Sequence, residues 1–155
     1  MLKLAAVALL AIPALAQDDD FINRLEQANA DTTKYWAFRG GGLLMAKERT
    51  YRCHAVLRLY RGANLGVKQI IAEHDSALDY LREDLAKDIA AGRDESYSRE
   101  SIAREEQTKA ERLADMQSKL IKSQSAWERR RIECYESLTE WERLIGEARK
   151  RASDR

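Results

Sequence analysis

Large apolar side chains recur every seven residues in the C-terminal part of the chain. The recurring positions are Leu113, Leu120, Trp127, Cys134 and Trp141, flanked by Leu138 and Ile145. Seven residues are close to two turns of an α-helix, so these side chains lie on one stripe of a single helix. The only proline of the chain is Pro13, and nothing after it opposes long helices. The pattern therefore predicts an all-α protein.

Two further segments have helical spacing. We expect one helix over about 97–149, a turn at 91–94, and helical structure over 43–61 and 65–91. The last segment carries an unbroken apolar stripe with one histidine in it: Val67, Ile71, His74, Leu78, Leu81, Leu85 and Ile89. Such helices, joined at the turn, predict a long antiparallel hairpin.

The N-terminal region is predicted to be shorter and less regular. A short helix over 18–30 would be capped by aspartates, and a loop over 32–42 would follow it. That loop contains Tyr35, Trp36 and Phe38, which are candidates for contact with a protein partner. We favour a role for these residues in covering the core, because large apolar groups are usually buried.

The two cysteines fit the predicted hairpin. If residue 91 pairs with residue 97, then Cys53 faces residue 135, one position from Cys134. The spacing predicts a disulfide between them, and two free buried thiols are the alternative. A shorter four-helix bundle is also open, with breaks at 62–64 and at 123–125, because Gly-Ala-Asn and Ser-Gln-Ser can interrupt helices there.

The first sixteen residues resemble an export signal. Lys3 supplies a positive charge, an apolar run extends to Leu15, and small residues close it at Ala16. The run is shorter than the roughly 20 residues that span a membrane. We therefore expect a signal peptide over 1–16, an N-terminal helix and aromatic loop over 17–42, and a disulfide-linked helical domain over 43–150. The protein would be periplasmic or secreted, where disulfides persist.

Charge and motifs exclude several functions. Without Lys3 the chain has 26 basic and 26 acidic residues, which argues against nucleic acid and against simple attraction to anionic lipid. His54 and His74 lack the spacing of metal ligands, and His74 is expected to be a partly buried core residue. No phosphate-binding loop or nucleophile motif is present. We predict no catalytic, cofactor or metal site and a protein that is not an enzyme.

A segment of the last helix resembles the signature of the LprI-type family of small exported bacterial proteins, which is named for a lysozyme inhibitor. The matching residues are Leu120, Gln124, Trp127, Arg131 and Cys134, and Leu138-Thr139 also agrees with the family pattern. Trp127 and Cys134 share one helix face, so the indole can pack near the disulfide. Arg131 can stack on that indole or pair with a carboxylate across the helices.

The resemblance implies a non-enzymatic binding protein of the cell envelope that occludes a muramidase. The acidic start of the mature chain, Asp18-Asp19-Asp20, is the local candidate for contact with a basic lysozyme. The alternative is a periplasmic coiled-coil protein with a structural or chaperone-like role, because a long thin hairpin with high charge would tend to form a homodimer.

Overall fold

In a computed structural model, which describes the backbone of residues 12–155 and the side chains from residue 18, the chain is helical almost throughout. Helix α1 spans Ile12–Tyr35, α2 spans Leu43–Ala90 and α3 spans Ser96–Ser153, with a short 3-10 helix at Trp36–Phe38. No strand is present in the described part, so the all-α prediction is confirmed. The predicted signal peptide lies mostly outside the described residues.

The chain divides into two compact units. The first contains the described residues up to Arg58 together with 126–155, and the second contains 59–125. The first unit therefore holds α1, the beginning of α2 and the end of α3. The second unit holds the rest of α2 and α3 with the turn that joins them.

In the first unit, α1 runs parallel to α3, and α2 runs antiparallel to α3. Side chains of α1 meet α3 in ascending order, because Asp18 contacts Trp127 and Asp31 contacts Arg149. The buried apolar core draws on all three helices: Phe21, Leu25, Ala28, Leu43, Ala46, Cys53, Leu57, Trp127, Cys134, Leu138, Trp141, Leu144, Ile145 and Ala148. The predicted stripe of α3 thus forms the centre of this core.

In the second unit, α2 and α3 form an antiparallel hairpin that reverses at Gly92. The N–H of Gly92 donates to the carbonyl of Ile89, and the N–H of Arg93 donates to that of Asp88. This is the Schellman arrangement, which requires a left-handed residue after the helix. Gly92 supplies it with a φ of 62°, and the side chain of Asp94 then accepts the N–H of Ser96 at the start of α3.

Three sequence expectations are corrected by the structure. First, the predicted N-terminal helix is present, but it extends beyond residues 18–30 and aspartates do not cap it. Its described part runs from Ile12 to Tyr35, so Asp18 lies inside it. Near its C-terminus, the hydroxyls of Thr32 and Thr33 donate to the backbone carbonyls four residues earlier, as they can within a helix. The loop therefore begins later than predicted, after Phe38.

Second, the breaks of the four-helix alternative do not form. Helix α2 continues through residues 62–64 and α3 through 123–125. A glycine within a helix costs only about 1 kcal/mol, which packing along the hairpin offsets. The hydroxyl of Ser123 donates to the carbonyl of Lys119, so it does not interrupt the helix.

Third, the stripe predicted in the second half of α2 is slightly misplaced. His74 and Leu78 are buried as predicted, whereas Ile71 and Ile89 are exposed and Ile70 is buried instead. Along a straight helix the buried face rotates gradually, because seven residues fall slightly short of two turns. A stripe with a strict seven-residue repeat does not follow that rotation.

Among residues 12–155, no helix combines the length and the apolar character needed to cross a membrane.

Two glycine substitutions test the helix ends and the helix continuity. Gly92→Ala should lower the free energy of unfolding by about 1 kcal/mol, because alanine is strained at a positive φ. Gly62→Ala is the matched control. A Cβ at residue 62 meets no atom within 4 Å, and alanine there should raise stability by roughly 0.5–1 kcal/mol. Urea denaturation measures both values, and destabilisation by Gly62→Ala would contradict a continuous α2.

Candidate binding site

The disulfide links α2 to α3 inside the first unit. Cys53 and Cys134 are bonded, with 5.6 Å between their Cα atoms, as the hairpin register predicted. Trp127 and Trp141 lie seven residues on either side of Cys134 and are almost completely buried. The bridge therefore sits between two buried indoles on one face of α3.

Both indoles donate hydrogen bonds to α1. Trp127 Nε1 donates to Asp18 Oδ2 at 3.0 Å, and Trp141 Nε1 donates to Thr32 Oγ1 at 2.9 Å. The two acceptors are 14 residues apart, as are the two donors. Fourteen residues span roughly 21 Å of helix, so the parallel helices match at both points. This match fixes the position of α1 along α3.

Asp18 is the polar centre of this contact. Its side chain is only 1% exposed, and Arg131 Nε lies 3.4 Å from its second carboxylate oxygen. Arg131 therefore takes the second of the two roles expected for it, pairing with a carboxylate across the helices. The expectation that Asp18 would face a partner is wrong, because the carboxylate is occupied inside the unit. Asp19 and Asp20 remain exposed.

Phe21 adds aromatic contacts to this cluster. We call Asp18, Phe21, Trp127, Arg131 and Cys134 the anchor, because they lie where α1 is held against α3. The Phe21 ring meets the rings of Trp127 and Tyr135 edge-on, with centroids 5.5 and 5.3 Å apart. One turn further along α1, Arg24 Nε donates to Glu142 Oε1 at 2.8 Å. The hydrogen bond to Glu142 raises the pKa of Arg24 by more than burial lowers it, so the guanidinium stays charged.

The signature residues divide between the two units. Trp127, Arg131 and Cys134 converge on the anchor of the first unit. Leu120 and Gln124 belong to the second unit, where both are half-buried. The signature therefore contains one group that holds α1 and another that lies in the hairpin.

An open groove of about 870 Å³ runs beside the anchor. Its lining residues share the outer face of α3 and the start of α1: Asp20, Arg131, Ile132, Tyr135, Glu136, Thr139 and Glu140. Ile132 is 78% exposed at its surface. The groove therefore combines an exposed isoleucine and an aromatic ring with three carboxylates and one arginine. We call these seven residues the acidic groove.

Among the residues that line the acidic groove, three carboxylates face one arginine. The pKa of Glu140 is lowered, chiefly by the hydrogen bond from Arg143, so this carboxylate stays ionised. Burial raises the pKa of Tyr135, and the neighbouring charge of Asp18 raises it further. Tyr135 therefore remains a neutral phenol, and the groove presents an apolar centre whose rim carries three carboxylates and the Arg131 guanidinium.

Sequence reasoning did not identify this groove. Ile132 stands among Arg129, Arg130, Arg131 and Glu133 in the sequence and lies off the apolar stripe. A large apolar residue in a charged run was the available signal. Its neighbours on α1 were not predictable, because the register of α1 depends on the indole hydrogen bonds.

The aromatic residues 35–38 occupy the end of the first unit. Tyr35 and Phe38 are half-buried, whereas Trp36 is 39% exposed. These aromatic residues therefore cover the core only in part, although the sequence favoured that role for them. The guanidinium of Arg39 lies 4.1 Å above the Trp36 ring, so this indole faces a cation and solvent.

His74 is the centre of a separate polar network in the second unit. Its Nδ1 is 2.5 Å from Glu105 Oε1, and its Nε2 is 2.9 Å from Arg112 Nη1. Because arginine only donates, Nε2 accepts and Nδ1 carries the proton. Both ring nitrogens are thus occupied, and His74 is 5% exposed, so neither nitrogen faces a substrate.

The side chains from residue 18 onward contain no group of three His, Cys, Asp or Glu residues arranged to hold a metal ion.

Comparisons with protein-family models, with curated proteins and with solved structures found no match to this chain.

Substitution of two neighbouring aspartates distinguishes the buried contact of Asp18 from the effect of an exposed negative charge. Asp18→Ala should lower the free energy of unfolding by about 2–3 kcal/mol, because it leaves the indole N–H without its acceptor and removes the buried partner of the Arg131 ion pair. Asp20→Ala is the control, since Asp20 forms an exposed pair with Arg24 at 3.6 Å. Its cost should stay within about 0.5 kcal/mol. Equal costs in urea denaturation would show that Asp18 does not anchor α1.

Proposed function

We propose that the protein is an exported, non-enzymatic binding protein of the cell envelope, and that its acidic groove binds a basic protein of the muramidase class. The observation that carries the proposal is the exposed Ile132 between the Tyr135 ring and the carboxylates of Asp20, Glu136 and Glu140. A basic lysozyme offers the complementary charge. Binding would inhibit the enzyme by covering its surface.

The physical form of the groove supports such a role. Interfaces gain most of their energy from a few apolar anchors that a polar rim surrounds. Opposite charges on the rim accelerate association and select among partners. The two indole hydrogen bonds hold α1 against α3, the helices that line the groove, and the disulfide ties α2 to α3, so little conformational entropy is lost on binding.

Compartment and resemblance support export. The N-terminal apolar run has the features of a signal peptide, and a disulfide persists where the surroundings are oxidising. Trp127, Arg131 and Cys134, which the LprI-type signature contains, belong to the anchor beside the groove. The signature residues would then maintain the binding surface without touching the partner themselves, apart from Arg131.

A structural or chaperone-like role is the second candidate. Leu59, Leu65 and Ile121 are exposed on the second unit, and exposed apolar side chains on long helices favour self-association. A molar mass by light scattering that rises with protein concentration would favour a homodimer of this kind. A constant monomer mass would favour the groove as the binding surface.

A muramidase assay on cell-wall substrate tests the proposed function. The oxidised mature protein should inhibit a basic lysozyme at a stoichiometric ratio. Ile132→Ser and Glu136→Lys should each weaken the apparent inhibition constant about tenfold or more, because each removes an anchor or reverses a rim charge. Reduction of the disulfide should also weaken inhibition by loosening the helices.

Matched controls lie on the second unit. Ile121→Ser removes a similarly exposed isoleucine, and Asp79→Lys reverses a similarly exposed carboxylate. Both should leave inhibition within twofold of the unchanged protein. Absence of inhibition at large excess against several lysozyme types would overturn the proposed function. Equal losses in the groove and control variants would overturn the assignment of the groove.

A further inference from the structure

We propose that one end of the first unit is a docking surface for anionic phospholipid. The surface consists of residues 34–49 and 149–155, and we call it the basic end. It is separate from the acidic groove, and the proposal does not depend on the proposed function. Three observations carry it: the convergence of these segments, their unneutralised charge and their exposed apolar side chains.

Contacts bring the C-terminus of α3 against the aromatic segment. Arg151 Nε donates to the carbonyl of Phe38 at 2.8 Å, and the guanidinium of Arg155 lies 5.3 Å from the Phe38 ring. A Cβ at residue 40 would lie 2.9 Å from Arg151 Nη2, so Gly40 permits this close approach. These contacts place Arg151 and Arg155 beside residues 38–40, just before α2 begins at Leu43.

Positive charge dominates the basic end. Its two segments contain eight basic and two acidic residues. Six of the cations make no ion pair within 4 Å with any carboxylate that the structure describes: Lys34, Arg39, Lys47, Lys150, Arg151 and Arg155. In the second unit, by contrast, most arginines and lysines pair with a carboxylate. The balanced charge of the whole chain therefore hides a local excess.

Aromatic rings hold several of these cations in place. The Arg39 guanidinium stacks on Trp36 at 4.1 Å, and the Lys34 and Lys47 ammonium groups lie 5.2 and 5.8 Å from the Tyr35 and Tyr51 rings. Such stacking orients a cation without neutralising its charge. The charges are thus available to a negatively charged surface.

Exposed apolar side chains lie in the same segment as Lys34, Arg39 and Lys47. Trp36 is 39% exposed, and Leu44 and Met45, in the first turn of α2, are 51% and 65% exposed. Tryptophan favours the boundary between lipid and water, and aliphatic groups gain by entering it. A polyanion dissolved in water offers no apolar region for Leu44 and Met45. The combination therefore favours a lipid surface over a soluble polyanion.

Sedimentation with vesicles tests the basic end. The mature, oxidised protein should bind vesicles of mixed phosphatidylglycerol and phosphatidylcholine and should not bind pure phosphatidylcholine. Lys47→Gln with Lys150→Gln should reduce the partition coefficient at least tenfold, since each basic residue near an anionic surface contributes substantially. Leu44→Ser with Met45→Ser should reduce it by a similar factor.

Control pairs on the second unit separate docking from general effects. Arg104→Gln with Lys119→Gln removes two exposed cations, and Leu65→Ser with Tyr80→Ser removes two exposed apolar groups. Both pairs should leave the partition coefficient within twofold, with helicity by circular dichroism unchanged in all four variants. No sedimentation with anionic vesicles at low salt would overturn the proposal. Binding that inorganic polyphosphate abolishes and that Leu44→Ser with Met45→Ser leaves intact would overturn it in favour of a soluble polyanion.

Discussion

Two hydrogen bonds from buried indoles determine where α1 lies. Trp127 and Trp141 donate to Asp18 and Thr32, and equal spacing on the two parallel helices allows both bonds to form together. A shift of α1 by one turn would leave two indole N–H groups buried without acceptors, at a cost of about 1–3 kcal/mol for each. The disulfide at Cys134 complements them by tying α2 to the same face of α3.

Both proposed surfaces of the first unit depend on that register. The acidic groove needs Asp20 of α1 beside Ile132 and Glu136 of α3, and the basic end needs Phe38 within reach of the α3 C-terminus. Each surface therefore combines residues that are far apart in sequence. One unit thus carries an acidic apolar groove and a basic apolar end, although the chain as a whole is nearly neutral.

Periodicity explains why the hairpin and the presence of an N-terminal helix were predictable, whereas the extent and register of α1 were not. The stripe through Trp127 and Cys134, the turn at Gly92 and the pairing with Cys53 follow from local rules of helix geometry. The extent of α1 and the burial of Asp18 follow from hydrogen bonds between distant residues, which no local pattern records. A run of three aspartates is expected to be solvated, yet one of them is buried because an indole and an arginine meet it. The groove was missed for the same reason.

Exchange of the three tryptophan indole protons with solvent, followed by NMR, tests the central claim most directly. The account predicts slow exchange for Trp127 and Trp141, with protection close to that of the most stable amides, because both protons are buried and bonded to α1. Trp36, which is partly exposed, provides a fast-exchanging reference in the same molecule. Exchange of the Trp127 or Trp141 proton as fast as that of Trp36 would contradict the account.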